Sequence, residues 1–275
     1  MREAPVGVEF GALLKDWRRH RRVSQLDLSS QSGISQRHIS FLETGRSLPS
    51  RAMILTLADS LDIPLRERNI LLQSAGFTPT FPDGALQTGQ SDLFEAALTA
   101  MLSHHEPYPA MILDGRWNLV LANEGALRFF GQFVDIFAAL DAIGAPTAFQ
   151  IIRLCLRDEG LKPWIVNWED LLANFLARAR RALLMNPRDR LLPELIREIS
   201  EHPAAPDAWR QPIRSSTPDP ALVMEMEKDG NRYRLFTMLA HFGAPQHVTF
   251  QELSVEIFFP ADEATRDALL RLTAA

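Results

Sequence analysis

The feature that most constrains this chain is residues 24–49, which carry the signals of two short helices joined by a tight turn. Ser24 can cap the first helix by accepting a hydrogen bond from a free backbone N–H, and Asp27 occupies the capping-box position three residues later. Gly33 follows at the turn, where positive φ costs glycine less than a residue with a Cβ. Ser35 can then cap the second helix. The stretch therefore predicts a helix, a turn and a second helix.

The second of these helices is predicted to have a buried side and a polar side. Ile39 and Leu42 lie three residues apart and face the same way. The polar side carries short or forked groups of the kind that contact base edges or phosphates in the major groove of DNA. A small helical bundle could mimic the pattern, and a solvated helix face is the alternative for individual polar residues. The predicted DNA-contact residues are Ser35, Gln36, Arg37, Ser40, Thr44 and Arg46.

This stretch resembles the helix-turn-helix of the phage-repressor-like family, which includes the Cro and xenobiotic-response-element proteins. Gln25 opens the first helix, and Gln36 stands near the start of the second, eleven residues later. The closing segment Glu43-x-Gly45-x-x-x-Pro49 also matches the family. The resemblance implies that Gln25 holds a phosphate and supports Gln36, which contacts a base.

The same resemblance bears on three further positions. In the family an arginine of the preceding helix often pairs with the closing glutamate, which implies a pair between Arg18 and Glu43. Ser29 and Phe41 depart from the family pattern, because alanine and a polar residue are usual at those two places. The caps, the turn glycine and both glutamines nevertheless agree with one another.

Positive charge is concentrated in the N-terminal part of an otherwise acidic chain. The net charge of −5 argues against a general nucleic-acid binder, but residues 1–76 carry eleven Lys and Arg against eight Asp and Glu, a net charge of +3. The cluster at Arg18, Arg19, Arg21 and Arg22 favours phosphate contact, with Arg19 and Arg22 as candidates, although a solvated helix end has the same pattern. Because one module of this charge binds DNA weakly, we expect a homodimer on two half-sites.

A length of 275 residues predicts about two domains. Residues 1–77 are predicted to form an all-α helix-turn-helix domain of five helices, the usual repressor-like size. Residues 78–91 are rich in Pro, Gly, Thr and Ser and are predicted to form a linker. Residues 92–275 mix strands and helices, with a hairpin at Asp114-Gly115. Their order predicts an α+β domain, an antiparallel sheet with helices packed on one face.

The C-terminal order resembles a PAS-like domain with inserted helices, and segments 108–123, 156–170 and 234–262 carry the likeness. Together with the N-terminal domain, the chain resembles the MmyB-like regulators, in which a repressor-type helix-turn-helix precedes a PAS-like ligand-binding domain. The resemblance covers nearly the whole chain. It implies a small apolar, fatty-acid-like ligand between the sheet and a covering helix. We expect residues 92–275 to serve dimerisation as well.

Aromatic and methionine side chains of the C-terminal domain are candidates for the walls of such a site, because they form adaptable apolar surfaces. Plain hydrophobic core is the alternative for each of them. Asn123, Asn167 and His241 are embedded among them as candidate polar contacts, with a turn and a helix cap as the alternatives for the two asparagines. The apolar candidates are Trp117, Phe129, Phe130, Trp164, Trp168, Met224, Phe236, Met238 and Phe242.

The sequence does not indicate a catalytic, metal or membrane function. It has no nucleophile-elbow, zinc-protease or phosphate-loop motif, and its histidines lack metal-ligand spacing. Cys155, the only cysteine, lies in an apolar helical pattern and suits a reducing cytoplasm. There is no apolar run of about 18 residues and no signal-peptide layout. We therefore expect a cytoplasmic protein that is not an enzyme and uses no catalytic residue, metal or cofactor.

These features predict a sequence-specific DNA-binding transcription regulator whose partner is a double-stranded operator. Its C-terminal domain is expected to sense a small apolar molecule. The alternative is a regulator whose C-terminal domain serves only dimerisation or the binding of a protein partner. A pocket of a few hundred Å³ in that domain would favour the ligand.

Overall fold

The computed structural model describes residues 6–83, 90–143, 149–203, 205, 222–243 and 245–274. Its contacts divide the chain into two compact units. The first unit contains residues 1–84 and 243–251, and the second contains residues 85–242 and 252–275.

The first unit begins with five helices, as the sequence predicted. They are α1 (Val6–His20), α2 (Gln25–Ser32), α3 (Gln36–Glu43), α4 (Arg51–Ser60) and α5 (Leu65–Ser74). Burial of one apolar face of each helix builds a common core. The largest fully buried side chains of this core are Phe10, Leu14, Trp17, Leu28, Ile39, Leu42, Ile54, Leu57, Leu61 and Ile63.

The predicted caps of the helix pair are present. The Ser24 hydroxyl accepts a hydrogen bond from the Asp27 N–H, and the Asp27 side chain accepts from the backbone of Ser24, which completes the capping box. Gly33 ends α2 with φ 71°. The Ser35 hydroxyl accepts from the third residue of α3. The turn between α2 and α3 is therefore fixed by local chemistry.

The segment after α5 is held against that helix. The Asn69 side chain donates to the Phe81 carbonyl and accepts from the N–H groups of Thr80 and Phe81. Thr80 and Phe81 of the predicted linker are thus held against α5, because the buried Asn69 amide bonds to their backbone. Residues 84–89 of the linker lie outside the described residues. In the same unit, Gln251 Oε1 accepts from the Leu65 N–H at the start of α5.

The second unit is an α+β domain, as predicted, with one five-stranded antiparallel sheet and helices inserted between its strands. Its sheet order is β2-β1-β5-β4-β3. The strands are β1 (Ala110–Leu113), β2 (Leu119–Ala122), β3 (Val223–Lys228), β4 (Asn231–His241) and β5 (Ser254–Pro260).

The helices of the remaining chain lie before β1, in a long insertion between β2 and β3, between β4 and β5, and after β5. Three short elements, α8, α12 and the 3₁₀ turn, were not predicted from the sequence. The helices are α6 (Gln90–His104), α7 (Glu124–Gly131), α8 (Ile136–Ile143), α9 (Gln150–Leu156), a 3₁₀ turn (Lys162–Trp164), α10 (Trp168–Met185), α11 (Leu192–Ser200), α12 (Val248–Glu252) and α13 (Glu263–Ala274). In the described part of the chain, no helix is long and apolar enough to cross a membrane.

The register of the central strands determines which side chains share a face of the sheet. Thr237 lies opposite Phe258, and Leu239 lies opposite Glu256. Their neighbours along β4, Phe236 and Met238, point to the other face, because successive side chains of a strand alternate. The face that carries Thr237 and Leu239 belongs to the main core of the second unit. Helices α7, α9 and α10 pack against this core.

Candidate functional site

The polar residues predicted for DNA contact lie together on and around α3. Gln36 and Arg37, in the first turn of the helix, are exposed, and Ser40 follows half-buried one turn later. Thr44 and Arg46 are exposed at the carboxyl end. The structure thus presents one side of α3 to solvent while the Ile39 and Leu42 side chains are fully buried.

Two of these residues make contacts within α3. The Arg37 guanidinium lies 5.3 Å from the centre of the Phe41 ring, one turn away. This cation–π contact restricts a long side chain that would otherwise sample many rotamers. The Thr44 hydroxyl donates to the Ser40 carbonyl at 2.8 Å. Phe41, which departs from the family pattern, therefore supports the orientation of Arg37.

A buried carboxylate holds the carboxyl end of α3 in place. The Arg18 guanidinium donates to both Glu43 oxygens, at 2.5 and 2.9 Å, and Gln25 Nε2 donates to the same carboxylate at 2.8 Å. Desolvation would raise the pKa of Glu43, but the hydrogen bonds from Arg18 and Gln25 and the Arg18 charge outweigh it and lower that pKa. The pair implied between Arg18 and Glu43 is confirmed, and it joins α1, α2 and α3.

A glycine allows α1 to approach this end of α3 closely. A Cβ at Gly11 would lie 2.4 Å from the Leu42 carbonyl oxygen and 2.9 Å from that of Glu43. Both neighbours are backbone atoms, which cannot give way as a flexible side chain does. Gly11 therefore fixes the depth at which α3 is seated on α1.

The basic cluster at the end of α1 divides into structural and exposed members. Arg21 donates to the backbone carbonyls of Leu61 and Asp62 and lies over the Trp17 ring, at 5.4 Å from its centre. Arg18 is committed to Glu43. Arg19 and Arg22, the predicted phosphate contacts, are exposed.

The second unit contains a partly open cavity of about 410 Å³ between the sheet and the helices of the long insertion. Most of its wall is apolar. Its apolar lining is Met111, Leu119, Ala122, Ala126, Leu127, Phe130, Ile136, Ile151, Leu154, Cys155, Leu161, Leu171, Phe175, Leu222, Met224, Leu239 and Phe258.

The polar part of the cavity wall comes mainly from α10 and the sheet: Asn174, Arg178, Arg181, Thr237 and Glu256. Arg178 pairs with Glu256 at 3.0 Å, and the side chains of the two are only 15% and 6% exposed. Arg181, one turn further along α10, is exposed. The cavity therefore has apolar walls and a polar patch with a buried arginine–glutamate pair and one exposed arginine.

Aromatic rings hold Arg178 in position. Its guanidinium carbon lies 5.6 Å from the ring centres of both Trp117 and Phe175. A guanidinium that already contacts two rings and a carboxylate loses little further conformational entropy when it binds an anion. Arg178 is therefore a guanidinium held in a fixed position on the cavity wall.

Of the apolar residues predicted for this site, Phe130 and Met224 line the cavity. Trp117 contacts Arg178 instead of lining the cavity itself. Phe236 and Met238 lie on the opposite face of the sheet, where Phe236 stacks on Phe259. The cavity is lined instead by Thr237 and Leu239, each one residue further along β4. A shift of one residue moves a side chain to the other face of a strand.

The other predicted ligand contacts have structural roles away from the cavity wall. Asn123 caps α7 and donates to the carbonyls of Leu102 and Tyr108. Asn167 bonds to β3 through Val223 O and Glu225 N.

The remaining aromatic and imidazole candidates are also held by the fold. Trp168 Nε1 donates to the Cys155 carbonyl, and the His241 ring lies 3.4 Å from the Leu253 carbonyl oxygen. The other rings pack on neighbouring aromatic rings: Phe129 on Phe130, Phe133 and Tyr233, Trp164 on Phe133, and Phe242 on Phe94.

The polar residues of the cavity were missed, although the sequence carries a signal for them. Asn174, Arg178 and Arg181 are spaced by four and three residues, which puts them on one face of α10 beside its apolar stripe. Glu256 is the one charged residue of a mostly apolar strand. A buried charge of that kind requires a partner, and this requirement points to an arginine elsewhere in the fold.

The cavity shows no sign of thiol chemistry. Burial, with a smaller contribution from the Glu256 charge, raises the pKa of the Cys155 thiol to about 12, so the thiol remains protonated and unreactive. Among the described residues, no group of three or more His, Cys, Asp or Glu side chains is placed to hold a metal ion.

Comparison with known proteins finds a family match in the N-terminal part of the chain. Residues 9–71 match a helix-turn-helix domain. The ImmF control region 10 kDa protein of Bacillus phage phi105 is 32% identical over 59 residues, which cover 22% of this chain and 66% of that protein. The solved structure of an RNA-binding light-oxygen-voltage receptor aligns with a TM-score of 0.26 and 13% identity, over 97% of this chain and 63% of that one. The chain thus spans just under two thirds of each relative.

The match that covers most of the chain concerns the second unit. Residues 94–272 match the family described as the MmyB-like transcription regulator ligand binding domain. Both matched families are described by regulation, DNA-binding architecture or ligand binding, and not by a catalysed reaction. The chain belongs to the MmyB-like transcription regulators and joins their ligand-binding domain to a helix-turn-helix DNA-binding domain.

Proposed function

We propose that this regulator reads its operator with the exposed face of α3 and binds a small amphiphile, apolar with one anionic end, in the cavity of the second unit. A fatty acid is the simplest molecule of this class. One observation carries the ligand assignment: a cavity of about 410 Å³ has apolar walls and a preorganised Arg178. Its volume falls within the range of small-molecule sites.

The chemistry of the wall supports an amphiphile over a fully polar ligand. Seventeen of the lining residues are apolar, and they favour an alkyl chain because burial of each methylene stabilises a complex by about 0.8 kcal/mol. Arg178 supplies donors in a planar fork that matches a carboxylate, and the exposed Arg181 adds positive charge near it.

The geometry of α3 supports direct contact with bases. Gln36 and Arg37 lie in the first turn of the helix, the part of a recognition helix that reaches base edges. Arg19 and Arg22 are suited to phosphate contacts, and Ser35, Ser40, Thr44 and Arg46 surround the same surface. Gln25 already donates to Glu43, and we propose that it helps to align α3 as well as to hold a phosphate.

We further propose that the regulator binds DNA as a homodimer. The first unit carries only a small positive excess, and two copies on two half-sites double the number of phosphate contacts. An operator selected from random DNA is then expected to contain two related half-sites separated by about one helical turn or a multiple of it.

Native mass spectrometry of the protein purified from its host tests the ligand assignment. The expected spectrum shows the protein with an added mass that organic extraction releases as a lipid-like acid. The matched variant Ala126→Trp fills the cavity from its buried wall and should lose the added mass while it remains folded. A single bare mass, with no binding of fatty acids added later, would contradict the proposal and favour a domain used only for dimerisation or a protein partner.

A further inference from the structure

The ion pair between Arg178 and Glu256 sets the charge of the buried part of the cavity before a ligand binds. Glu256 lies on β5, with its side chain 6% exposed, and its oxygen is 3.0 Å from the Arg178 guanidinium. Among the described residues, Arg178 is the one cation paired with this carboxylate. The buried part of the site is therefore already neutral before a ligand with a negative charge enters.

A ligand carboxylate that binds Arg178 brings a second negative charge to this pair. A guanidinium has five N–H donors and can contact both carboxylates, but one positive charge cannot balance two negative ones. When two carboxylates share a buried site, one of them holds a proton because both cannot remain ionised close together.

Among the described residues of the cavity wall, no other group offers a buried compensating charge. Arg181 on α10 is exposed to solvent, which weakens its effect on a buried carboxylate. Cys155 on α9 is fully buried and keeps its proton. The cross-strand neighbours of Glu256 are Met111 on β1 and Leu239 on β4, which carry no charge.

We infer that a carboxylate ligand enters this cavity together with one proton, which it shares with Glu256 beside Arg178. The proton comes from solvent, and neither the ligand nor the protein forms a covalent bond. The inference rests on the proposed function, because it requires an anionic amphiphile in the cavity. It makes the regulator more responsive to such a ligand at lower pH.

The expected effect follows from linkage between the proton and the ligand. If one proton is taken up for each ligand bound, the Kd falls about tenfold for each unit by which the pH is lowered, as long as the free acid stays ionised. An uncharged amphiphile of the same length leaves the pair intact and takes up no proton.

Isothermal titration calorimetry of the delipidated full chain counts these protons directly. Dodecanoate is titrated at pH 7 in phosphate and in Tris, two buffers with different ionisation enthalpies, and dodecanol serves as the uncharged ligand. We expect an uptake of about one proton for dodecanoate and none for dodecanol. In E256Q the uptake with dodecanoate should disappear, whereas E227Q, on the exposed Glu227 of β3, should behave as the wild type.

The outcomes separate this inference from the function on which it rests. Tight binding of dodecanoate without proton uptake, or an uptake that persists in E256Q, overturns the inference and leaves the amphiphile site standing. A complete absence of dodecanoate binding overturns both. The wild-type proton count needs no variant, so the test holds even if E256Q folds poorly.

Discussion

Replacement of Arg18 by Ala is expected to lower the free energy of unfolding of the first unit by about 3–5 kcal/mol. The Arg18 and Glu43 side chains are 12% and 2% exposed, so the substitution leaves a buried carboxylate that keeps its hydrogen bond from Gln25 but loses its paired cation. The penalty is that of an unpaired buried charge, and it exceeds what an exposed ion pair contributes, about 0–1 kcal/mol.

Urea unfolding followed by hydrogen exchange of peptides from residues 6–43 measures this loss within the first unit. Arg19→Ala is the matched control, because Arg19 is an exposed neighbour in the same helix and its removal should change stability by no more than about 0.5 kcal/mol. An equal, small effect of both substitutions would show that the buried pair does not hold α3.

The effect of Arg18→Ala should also depend on pH in a defined direction. Because the folded state lowers the pKa of Glu43, its ionised form contributes stability above the pKa of the unfolded chain, near 4.3, and this contribution is lost as pH falls through the folded pKa. The difference between wild type and Arg18→Ala should therefore be large at pH 7 and shrink in acid. A difference that grows in acid would contradict the assignment.

Replacement of Arg178 by Ala is expected to lower the free energy of unfolding of the second unit. It leaves the Glu256 carboxylate buried without its cation, so a loss of about 3–5 kcal/mol is expected. The double variant Arg178→Ala with Glu256→Gln removes the stranded charge and should recover part of the loss. Chemical denaturation that reports on the second unit, compared for the single and double variants, measures this recovery.

The two variants also separate the stability of the domain from ligand binding. The double variant should fold better than Arg178→Ala alone yet bind dodecanoate weakly, because it has no guanidinium for the ligand carboxylate. If the double variant were as unstable as the single one, the loss would come from the packing of Arg178 between Trp117 and Phe175 and not from the charge on Glu256.

The first unit could be predicted closely because its signals are local. Ser24, Gly33 and Ser35 act on backbone groups a few residues away, and the structure shows the caps and the positive φ that these residue types require. The Arg18–Glu43 pair is not local, but the motif resemblance supplied it. The close approach at Gly11 had no such signal, because it depends on where α3 crosses α1.

The cavity was only partly predictable because it depends on strand register and on pairs across the fold. Alternation along β4 identifies two sets of side chains but does not say which set faces the helices, and the predicted Phe236 and Met238 lie on the face opposite the cavity. Aromatic content favoured Trp164 and Trp168, which the structure uses in packing. The charged residues that give the cavity its chemistry lie 78 positions apart in the sequence.

The most direct test of base contact by α3 compares the DNA affinity of Arg37→Ala and Gln36→Ala on a selected operator and on random DNA. If α3 reads bases, each substitution should weaken operator binding by about 1–3 kcal/mol, or about 5–150-fold, with much less loss on random DNA. Arg19→Ala, at a proposed phosphate contact, should instead weaken binding to both DNAs alike and reduce the salt dependence by about one ion. Equal losses on operator and random DNA for Gln36→Ala and Arg37→Ala would contradict base reading by α3.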